Sequence, residues 1–550
     1  MEDHQREEAK EKIKNLLKDR HNLWFGGILI LAIIVRLYYF TLTTGQPLWW
    51  DEADYLAYAK NLAGYPIEWI ISAKHNSLYP FLAGAIFMVG LGEGSVKFIL
   101  QLLPSVLSVI LVYVICNEMY KDKKIGLIAS FLMVVLWEHL FNTTRFHIDI
   151  LALFFGLLAI YVFWRGYENK KKIFWKIDPR WAVPLASLLV ILTYSVRRGY
   201  FLFGLFLLIY AVLTKNWKDL VKNRYNWVAF AIALSLFLLA ERFIFISKIA
   251  SVGGAYFHEE LPINFFPLKV FSTYFSFGTI LSSLLLYLFW MGILILTSHV
   301  VISVGHIKKN SSGSVRADLF SLLTLLVTLV FFIVVLRSPD GFGEPRWYFP
   351  LIFGSFVCIA RGSLILIDYI RKYNKIISVI ILLAIFLSAG YYQIRAADNV
   401  IKAKVDTYKF TREAAIFLKE VSSKGDLVIT LGQPQIEYYS ERKTLNSKTF
   451  AEIEVSDPSH FQRTLDKIRE NPNVKYILIS FSEPAHPEWM KKVYYSDGGG
   501  IAAWQIPFMD TTVDFINQKQ DIKQSKTYED LTFTLIDLKG DVFIYKIERT

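Results

Sequence analysis

Cysteine is nearly absent from this sequence of 550 residues, which contains only Cys116 and Cys358. Both cysteines lie within long apolar runs. A disulfide framework or a cysteine-based zinc site needs several cysteines at suitable spacing. The sequence therefore excludes both kinds of cross-link, and any part of the chain outside the membrane must be stable without disulfides.

We also expect no cleavable signal peptide, and the sequence shows no internal repeat of fixed period. About 22 polar residues precede the first apolar run, "LWFGGILILAIIVRLYYFTL" (23–42), whereas a signal peptide places its apolar stretch close to the N-terminus. We therefore interpret this run as a signal anchor that stays in the membrane.

Charged residues are few, because 54% of the residues are hydrophobic and only 20% are charged. A soluble protein of this length is rarely so apolar, and repeated apolar runs near 20 residues predict membrane spans. We predict a polytopic α-helical membrane protein with about eleven spans: 23–43, 96–116, 125–141, 149–166, 181–196, 199–213, 226–246, 278–304, 318–337, 347–369 and 376–394.

The basic residues predict the orientation of these spans. If the short apolar segment 78–91 does not cross the membrane, the loops on one side hold 25 Lys and Arg residues and those on the other side hold 9. The positive-inside rule then places the N-terminus in the cytoplasm and residues 395–550 outside, with segment 78–91 in the outer face of the membrane. The net charge of +12 is thus explained by short loops, and we expect no nucleic-acid binding.

The composition changes after the last span, where long apolar runs stop. The segment 411–425 predicts an amphipathic helix, and 426–432 and 474–480 predict buried strands. The expected organisation is a cytoplasmic segment (1–22), a membrane domain (23–394, with a first outer loop at 44–77) and an extracytoplasmic α/β domain (395–550).

An acidic stretch follows the first span: "PLWWDEADYLAYAKNL" (47–62) predicts a short helix that starts at Asp51. At 3.6 residues per turn, Asp51, Asp54, Tyr55 and Tyr58 share one face. Two interpretations of Asp51 remain open. It either caps an interfacial helix that the preceding tryptophans anchor, or serves as a carboxylate that binds a cation or accepts a proton from a hydroxyl.

A second acidic group, Asp149 in "RFHIDILALFF" (145–155), begins a span on the same outer side, where a carboxylate is costly. Its alternative role is again a helix cap. A lone arginine near a span end most often contacts lipid headgroups. Several outer cations together with two carboxylates instead indicate a site for an anionic, lipid-linked substrate; these cations are Lys74, His75, Arg197, Arg198 and Arg346.

The outer motifs resemble those of polytopic membrane glycosyltransferases with the GT-C fold, such as protein O-mannosyltransferases and lipid A aminoarabinose transferases. The resemblance covers roughly residues 23–394. It consists of "WWDEADY" with Asp51 and Glu52, the basic pair Lys74 and His75 before "LYPFLAG", the helix "VKFILQLLPSVLSVILVYVI" (96–115), the pair Arg145 and Asp149, and "PRWYFPLIFG" with Arg346 and Tyr348.

The resemblance implies inverting transfer of one hexosyl or pentosyl unit, such as mannose, from a polyprenyl phosphate such as dolichyl phosphate to a protein, lipid or glycan hydroxyl. Asp51 would be the catalytic base, supported by Glu52. Asp149 would orient the acceptor or hold a divalent cation with Asp51. The phosphate would be bound by Lys74, His75, Arg145, Arg346 and Tyr348. The expected setting is the plasma membrane, where such an enzyme serves protein glycosylation or the cell envelope.

Three alternatives remain open from the sequence. Oligosaccharyltransferases transfer a whole glycan and carry a Trp-Trp-Asp motif, but in that family the motif lies in the soluble C-terminal domain, and residues 395–550 here contain no Trp-Trp pair. A transporter would need charged or broken helices near the middle of the membrane. A non-enzymatic receptor would leave Asp51 and Asp149 without a chemical role.

Overall fold

The computed structural model describes residues 19–65, 77–174, 176–244, 263, 265–303, 313–336, 343–480, 487–490, 493–497, 500–506, 508–509, 511–514 and 524–550. These residues form two compact units. The first comprises Met1–Thr44, Asn76–Tyr79 and Gly92–Ala403, and the second comprises Gly45–His75, Pro80–Leu91 and Lys404–Thr550. The predicted boundary after residue 394 falls inside a continuous helix that ends at Lys404.

The chain contains nineteen α-helical segments within the described residues. They are α1 Arg20–Leu42, α2 Trp50–Leu62, α3 Leu78–Met88, α4 Glu93–Tyr120, α5 Lys123–Val135, α6 Trp137–Thr143, α7 Ile148–Glu168, α8 Pro179–Val196, α9 Arg198–Thr214, α10 Trp217–Lys222, α11 Arg224–Ile244, α12 Lys269–Phe275, α13 Leu281–Ile302, α14 Gly313–Leu336, α15 Pro345–Arg371, α16 Lys375–Lys404, α17 Lys409–Val421, α18 Gln433–Ser440 and α19 His460–Glu470. Several of the long helices include a terminal 3₁₀ or π-helical turn.

The predicted spans all coincide with helices. In the part of the chain that the structure describes, nine helices are long and apolar enough to cross a membrane, and the pair α5–α6, bent by 55°, counts as a tenth. Helix α9 is a shorter apolar helix that matches the remaining predicted span. Helix α3, the ambiguous segment, has 11 residues, which extends only about 16 Å at 1.5 Å per residue and is too short for a span.

The first unit is organised around two central helices, α7 and α15. In their most apolar windows, 72% and 78% of the residues are buried, against 17% in α1 and in α11. Small residues permit close packing around α15: a Cβ atom on Gly292 of α13 would lie 1.9 Å from the carbonyl oxygen of Cys358. Such contacts between small residues fix helix positions in membrane proteins. The two central helices carry Asp149 and Arg346.

The second unit contains the predicted α/β domain. Its strands are β1 Leu427–Thr430, β2 Thr444–Asn446, β3 Val474–Ser480, β4 Val493–Asp497, β5 Gly500–Ile506, β6 Thr511–Asp514, β7 Ser525–Tyr528, β8 Leu531–Lys539 and β9 Val542–Arg549. Six strands form a mixed sheet in the order β2-β1-β3-β9-β8-β7, and β4-β5-β6 form a second, antiparallel sheet. Both predicted strands and the predicted helix, which ends at Val421, are confirmed.

The acidic helix α2 belongs to this second unit and packs against α18 of the α/β domain. The Leu48 N–H donates to the Tyr439 hydroxyl at 2.9 Å, and the Lys60 ammonium lies 4.1 Å from the centre of the Tyr438 ring. The Arg412 side chain donates to the Gly45 carbonyl at 2.8 Å. The α/β domain therefore braces the loop that carries Asp51.

Candidate active site

Asp149 is the centre of a polar cluster in the first unit. It lies in the first turn of α7, where the N-terminal end of the helix dipole favours negative charge. The residue before the helix, His147, is the N-cap, so Asp149 does not cap the helix. Its side chain is fully buried. A buried carboxylate is tolerated only with partners that neutralise it.

Those partners come from two distant parts of the chain. Nη1 of Arg197, at the end of α8, lies 2.7 Å from both carboxylate oxygens of Asp149. The Tyr200 hydroxyl lies 3.1 Å from Oδ1, and Nε of Arg346 lies 4.0 Å from Oδ2. Three helix ends therefore bring two guanidinium groups and a phenol to one carboxylate.

Arg346 is held in place by its backbone as well as by its charge. It lies in the 3₁₀ turn Pro345–Leu351 that opens α15. The Tyr200 hydroxyl is 2.9 Å from the Arg346 carbonyl oxygen, and the Tyr274 hydroxyl donates to the Pro345 carbonyl oxygen at 2.6 Å. The Arg346 Nε also donates to Glu344. The guanidinium is thus positioned by contacts on both sides of the turn.

Arg145 and His147 complete the cluster. Both side chains are buried, and Arg145, Arg197 and Arg346 all lie within electrostatic range of the His147 ring. His147 Nδ1 is 2.6 Å from Asn142 Oδ1, and Asn142 Nδ2 donates to Glu138 Oε1 at 2.9 Å. We call Arg145, Asp149, Arg197 and Arg346 the arginine cluster. Three concentrated guanidiniums suit the binding of a phosphate, because their planar forks match its oxygens.

The adjacent residues Arg197 and Arg198 point to different partners. Arg198 Nη2 lies 3.1 Å from Glu241 Oε2, and the Tyr194 hydroxyl donates to the same carboxylate. Glu241 is completely buried in α11. Of the two neighbouring arginines, Arg197 is therefore the one that binds Asp149, and Arg198 serves a separate buried pair.

A divalent cation does not fit the described residues around Asp149. Both of its oxygens are in contact with Arg197, and Arg346 Nε lies 4.0 Å from one of them, so a cation on this carboxylate would face two guanidinium groups of the same charge. Among the residues that the structure describes, there is also no group of three His, Cys, Asp or Glu side chains placed to hold a metal. We derive no catalytic step through a metal.

The acidic helix α2 differs from its predicted start. Its N-cap is Trp49, not Asp51, and the Glu52 carboxylate accepts a hydrogen bond from the Trp49 N–H at 2.8 Å. Glu52 therefore caps the helix. Its side chain is fully buried, Asp54 is almost fully buried, and Asp51 is half-buried in the first turn. The interpretation of Asp51 as the capping residue is wrong, because the chain turns two residues earlier than the Asp preference suggests.

The sequence predicted part of this site. Arg145, Asp149 and Arg346 come together as described, with Tyr348 buried against Phe332 at a ring distance of 4.3 Å. Lys74 and His75 lie outside the described residues. Reasoning from the sequence missed the roles of Glu138, His147, Tyr200 and Tyr274. A charged residue inside an apolar run, which is costly, is the signal that points to Glu138.

Comparison with known proteins adds the family context. Residues 74–240 match the model of the dolichyl-phosphate-mannose-protein mannosyltransferase family. No curated protein is significantly similar to the sequence. The matched region contains Arg145, Asp149 and Arg197, so it includes most of the arginine cluster.

Solved structures show the same architecture. ArnT from Cupriavidus metallidurans matches with a TM-score of 0.58 and 10% identity, over 95% of this chain and 98% of that one. The oligosaccharyltransferase from Archaeoglobus fulgidus in its apo form matches with a TM-score of 0.57 and 14% identity, over 83% and 69%. The arabinofuranosyltransferase AftD from Mycobacteria matches with a TM-score of 0.51 and 13% identity, over 94% and 41%.

The chain has the fold of the GT-C membrane glycosyltransferases. The fold agrees over nearly the full length of ArnT, and residues 74–240 independently match the mannosyltransferase family model. The predicted fold class and enzyme class are confirmed, and the transporter and receptor alternatives are set aside. In this GT-C glycosyltransferase, the arginine cluster lies at the N-terminal end of α7 and the acidic helix α2 lies in the unit that contains the α/β domain.

Proposed function

We propose that this enzyme transfers one sugar from a polyprenyl phosphate to an acceptor hydroxyl at the outer face of the membrane, with inversion at the anomeric carbon. The family match supports a phosphate-linked lipid donor. So do two structural relatives: ArnT was solved with undecaprenyl phosphate, and the archaeal oligosaccharyltransferase AglB with a dolichol-phosphate.

The observation that carries the proposal is the convergence of Arg197 and Arg346 on Asp149. When the bond from the anomeric carbon to the phosphate oxygen breaks, the electron pair stays on the phosphate. Fixed guanidiniums in a buried site stabilise this negative charge without reorganising. Asp149 serves as the counter-ion that holds Arg197 in its orientation before the donor arrives.

We propose Asp51 as the general base. Glu52 is fully buried and accepts the hydrogen bond from the Trp49 N–H, whereas Asp51 is half-buried, so Asp51 is the carboxylate of this pair that an acceptor hydroxyl can reach more easily. As the acceptor oxygen forms its bond to the anomeric carbon, its proton passes to an Asp51 oxygen. A positioned base of this kind contributes about 10²–10⁴ in rate. Lys74, His75, Arg145 and Tyr348 remain predicted contributors to phosphate binding.

The proposed setting follows from the distribution of basic residues. The enzyme would lie in the plasma membrane with its N-terminus in the cytoplasm and its α/β domain outside, facing the acceptor. The acceptor would be a protein, lipid or glycan hydroxyl. The brace between the α/β domain and α2 supports a role for this domain in holding the loop of Asp51.

Mass spectrometry of surface glycans, glycolipids and glycoproteins tests the proposal in cells that lack the protein. We expect a product to disappear that differs by the mass of one sugar, and a polyprenyl phosphate sugar to accumulate. Wild-type protein should restore the product, and Arg346→Ala should not. Arg371→Ala, at the other end of α15, is the matched control and should restore it.

Two results would contradict this function. Loss of a whole multi-sugar block, with accumulation of its lipid-linked form, would indicate en bloc transfer as in oligosaccharyltransferases. The second result is an unchanged glycan profile in the deficient cells, when the control cells contain the wild-type protein at a normal level. It would show that the enzyme has no role in glycan synthesis.

A further inference from the structure

Four basic side chains line one cavity at the opposite end of α7 from Asp149. Lys170, Arg180, Lys222 and Arg224 surround a space of about 430 Å³. None of the described residues that line it is acidic. Asp178 pairs with Arg180 at 3.1 Å, and Glu168 acts electrostatically on Lys170. The four basic side chains outnumber these two carboxylates, so the cavity keeps an excess of positive charge.

An apolar cavity of about 450 Å³ adjoins the basic one. The two cavities share Tyr167 and Val183 in their walls, so they lie side by side next to α7, α8 and α11. We call the two adjoining cavities together the depression. Trp227 and Phe230 lie on its rim and are each 58% exposed. Exposed aromatic side chains on a membrane helix face lipid chains. The depression therefore has an apolar half and a cationic half.

The depression is separate from the arginine cluster. Asp149 begins α7, and Tyr167 lies 18 residues further along the same helix, a distance of about 27 Å at 1.5 Å per residue. This length spans most of the hydrocarbon layer. By the positive-inside rule, the basic cavity lies on the cytoplasmic side.

The described carboxylates compensate the charge of the basic cavity only in part. Burial and the nearby Lys215 lower the pKa of the Lys170 ammonium, and the negative charge of Glu168 opposes this shift without cancelling it. Lys170 also lies 4.9 Å from the centre of the Tyr167 ring, in the shared wall. A negatively charged group placed in the cavity would remove this repulsion and gain several charge-assisted hydrogen bonds.

We propose that the depression binds an anionic phospholipid of the cytoplasmic leaflet, with its phosphate in the basic cavity and an acyl chain in the apolar cavity. Basic pockets between membrane helices on the cytoplasmic side bind such headgroups. A free phosphate has no apolar group that could fill the apolar half. A zwitterionic lipid would leave the positive charge of the basic half without a counter-ion.

Native mass spectrometry of the full-length detergent-purified protein tests the proposal. The probes are phosphatidylglycerol and phosphatidylcholine with identical acyl chains. We expect wild-type protein to retain phosphatidylglycerol preferentially. The double variant Lys170→Gln with Lys222→Gln should weaken that binding roughly thirtyfold, because each basic residue near a membrane surface contributes a factor of about five to the affinity. Lys372→Gln with Lys375→Gln removes the same charge elsewhere on the predicted cytoplasmic side and should keep the preference.

A third variant, Ala233→Phe, fills part of the apolar cavity that Ala233 lines. It should weaken phosphatidylglycerol binding and leave the binding of inorganic phosphate unchanged. The proposal is overturned by equal retention of the two lipids, by a normal preference in the Lys170 and Lys222 double variant, or by displacement of the lipid with millimolar inorganic phosphate.

Discussion

Arg197 Nη1 lies 2.7 Å from both carboxylate oxygens of Asp149, across 48 residues of sequence, and neither oxygen is exposed to solvent. Each side chain neutralises the other in a place where a lone charge would be costly. The pair therefore explains both how a carboxylate is kept at the start of a buried span and why a guanidinium stays directed at the N-terminal end of α7.

This ion pair predicts strong coupling between the two residues. Removing either charge breaks a largely buried ion pair, which typically costs about 3–5 kcal/mol, and the cost is smaller for the loss of Arg197, because Tyr200 and Arg346 still contact Asp149. Asp149→Asn and Arg197→Gln should each lower the thermal stability of the purified protein and its kcat/KM for the lipid donor. The double variant should be less destabilised than the sum of the two, with a coupling free energy of about 1 kcal/mol or more.

The matched control for this cycle is the exposed pair Asp398 and Lys402, which lie 2.8 Å apart on α16. Its cycle, Asp398→Asn with Lys402→Gln, should give a coupling below about 0.5 kcal/mol, as for other exposed pairs on helices. Equal coupling free energies in the two cycles would show that burial does not strengthen the interaction between Asp149 and Arg197.

Arg346 provides a prediction about donor binding. Its guanidinium approaches Asp149 and is fixed by the 3₁₀ turn at the start of α15. Arg346→Ala should raise the KM for a polyprenyl phosphate sugar about tenfold or more, since one charge-assisted hydrogen bond contributes about 1.5–3 kcal/mol. Initial-rate kinetics in proteoliposomes measure this, with Arg371→Ala as control. A change confined to the acceptor KM would mean that Arg346 contacts the acceptor instead.

The second unit provides a prediction about pH. The pKa of the Glu437 carboxyl is raised from 4.5 to about 7: burial is the main cause, hydrogen bonds from Thr444 oppose the shift, and the negative charge of Asp54 adds to it. Between pH 4.5 and about 7 the folded state keeps a proton that the unfolded state has released. The free energy of unfolding should therefore fall as the pH rises through this window, by roughly 3 kcal/mol in total.

Hydrogen exchange of the amides in β1 and β3 in the full-length protein measures this effect. Protection in the wild type should decrease from pH 5 to pH 7.5 after correction for the intrinsic exchange rate. Glu437→Gln keeps an oxygen that accepts the hydrogen bonds from Thr444, which the Glu437 Oε1 accepts at 3.1 and 2.7 Å. This variant should lose the dependence. An equally steep decrease in the variant would assign it to another group.

The sequence was sufficient for the features that depend on local pattern. Long apolar runs predicted the helices of the described residues that are long enough to cross a membrane, and short apolar runs predicted the buried strands β1 and β3. Arg145 and Asp149 lie four residues apart, so their proximity needed no long-range information. Such patterns reflect the physics of burial within one segment, and that physics does not depend on how the segments are arranged.

The remaining features depend on contacts between distant segments. No local pattern relates Asp149 to Arg197, or Leu48 to Tyr439 across 391 residues. The start of α2 was misplaced for a different reason. Aspartate is a preferred N-cap and tryptophan is not, yet Glu52, three residues after Trp49, satisfies the Trp49 N–H. The usual sequence signature of a capping box has Ser, Thr, Asp or Asn at the N-cap, so Trp49 gave no such signal.

The most direct test concerns the role of Asp51 as the general base. The measured quantity is the rate at which the purified enzyme releases polyprenyl phosphate from a lipid-linked sugar donor when acceptor is present. Asp51→Asn should fold and insert normally, because Glu52 and not Asp51 caps α2. It should bind the donor with normal KM and lose about 10²–10⁴ of kcat, the usual contribution of a positioned base. Glu93→Gln, an acidic residue in the first turn of α4, is the matched control and should keep its rate. Turnover by Asp51→Asn within about twofold of the wild type would contradict the account.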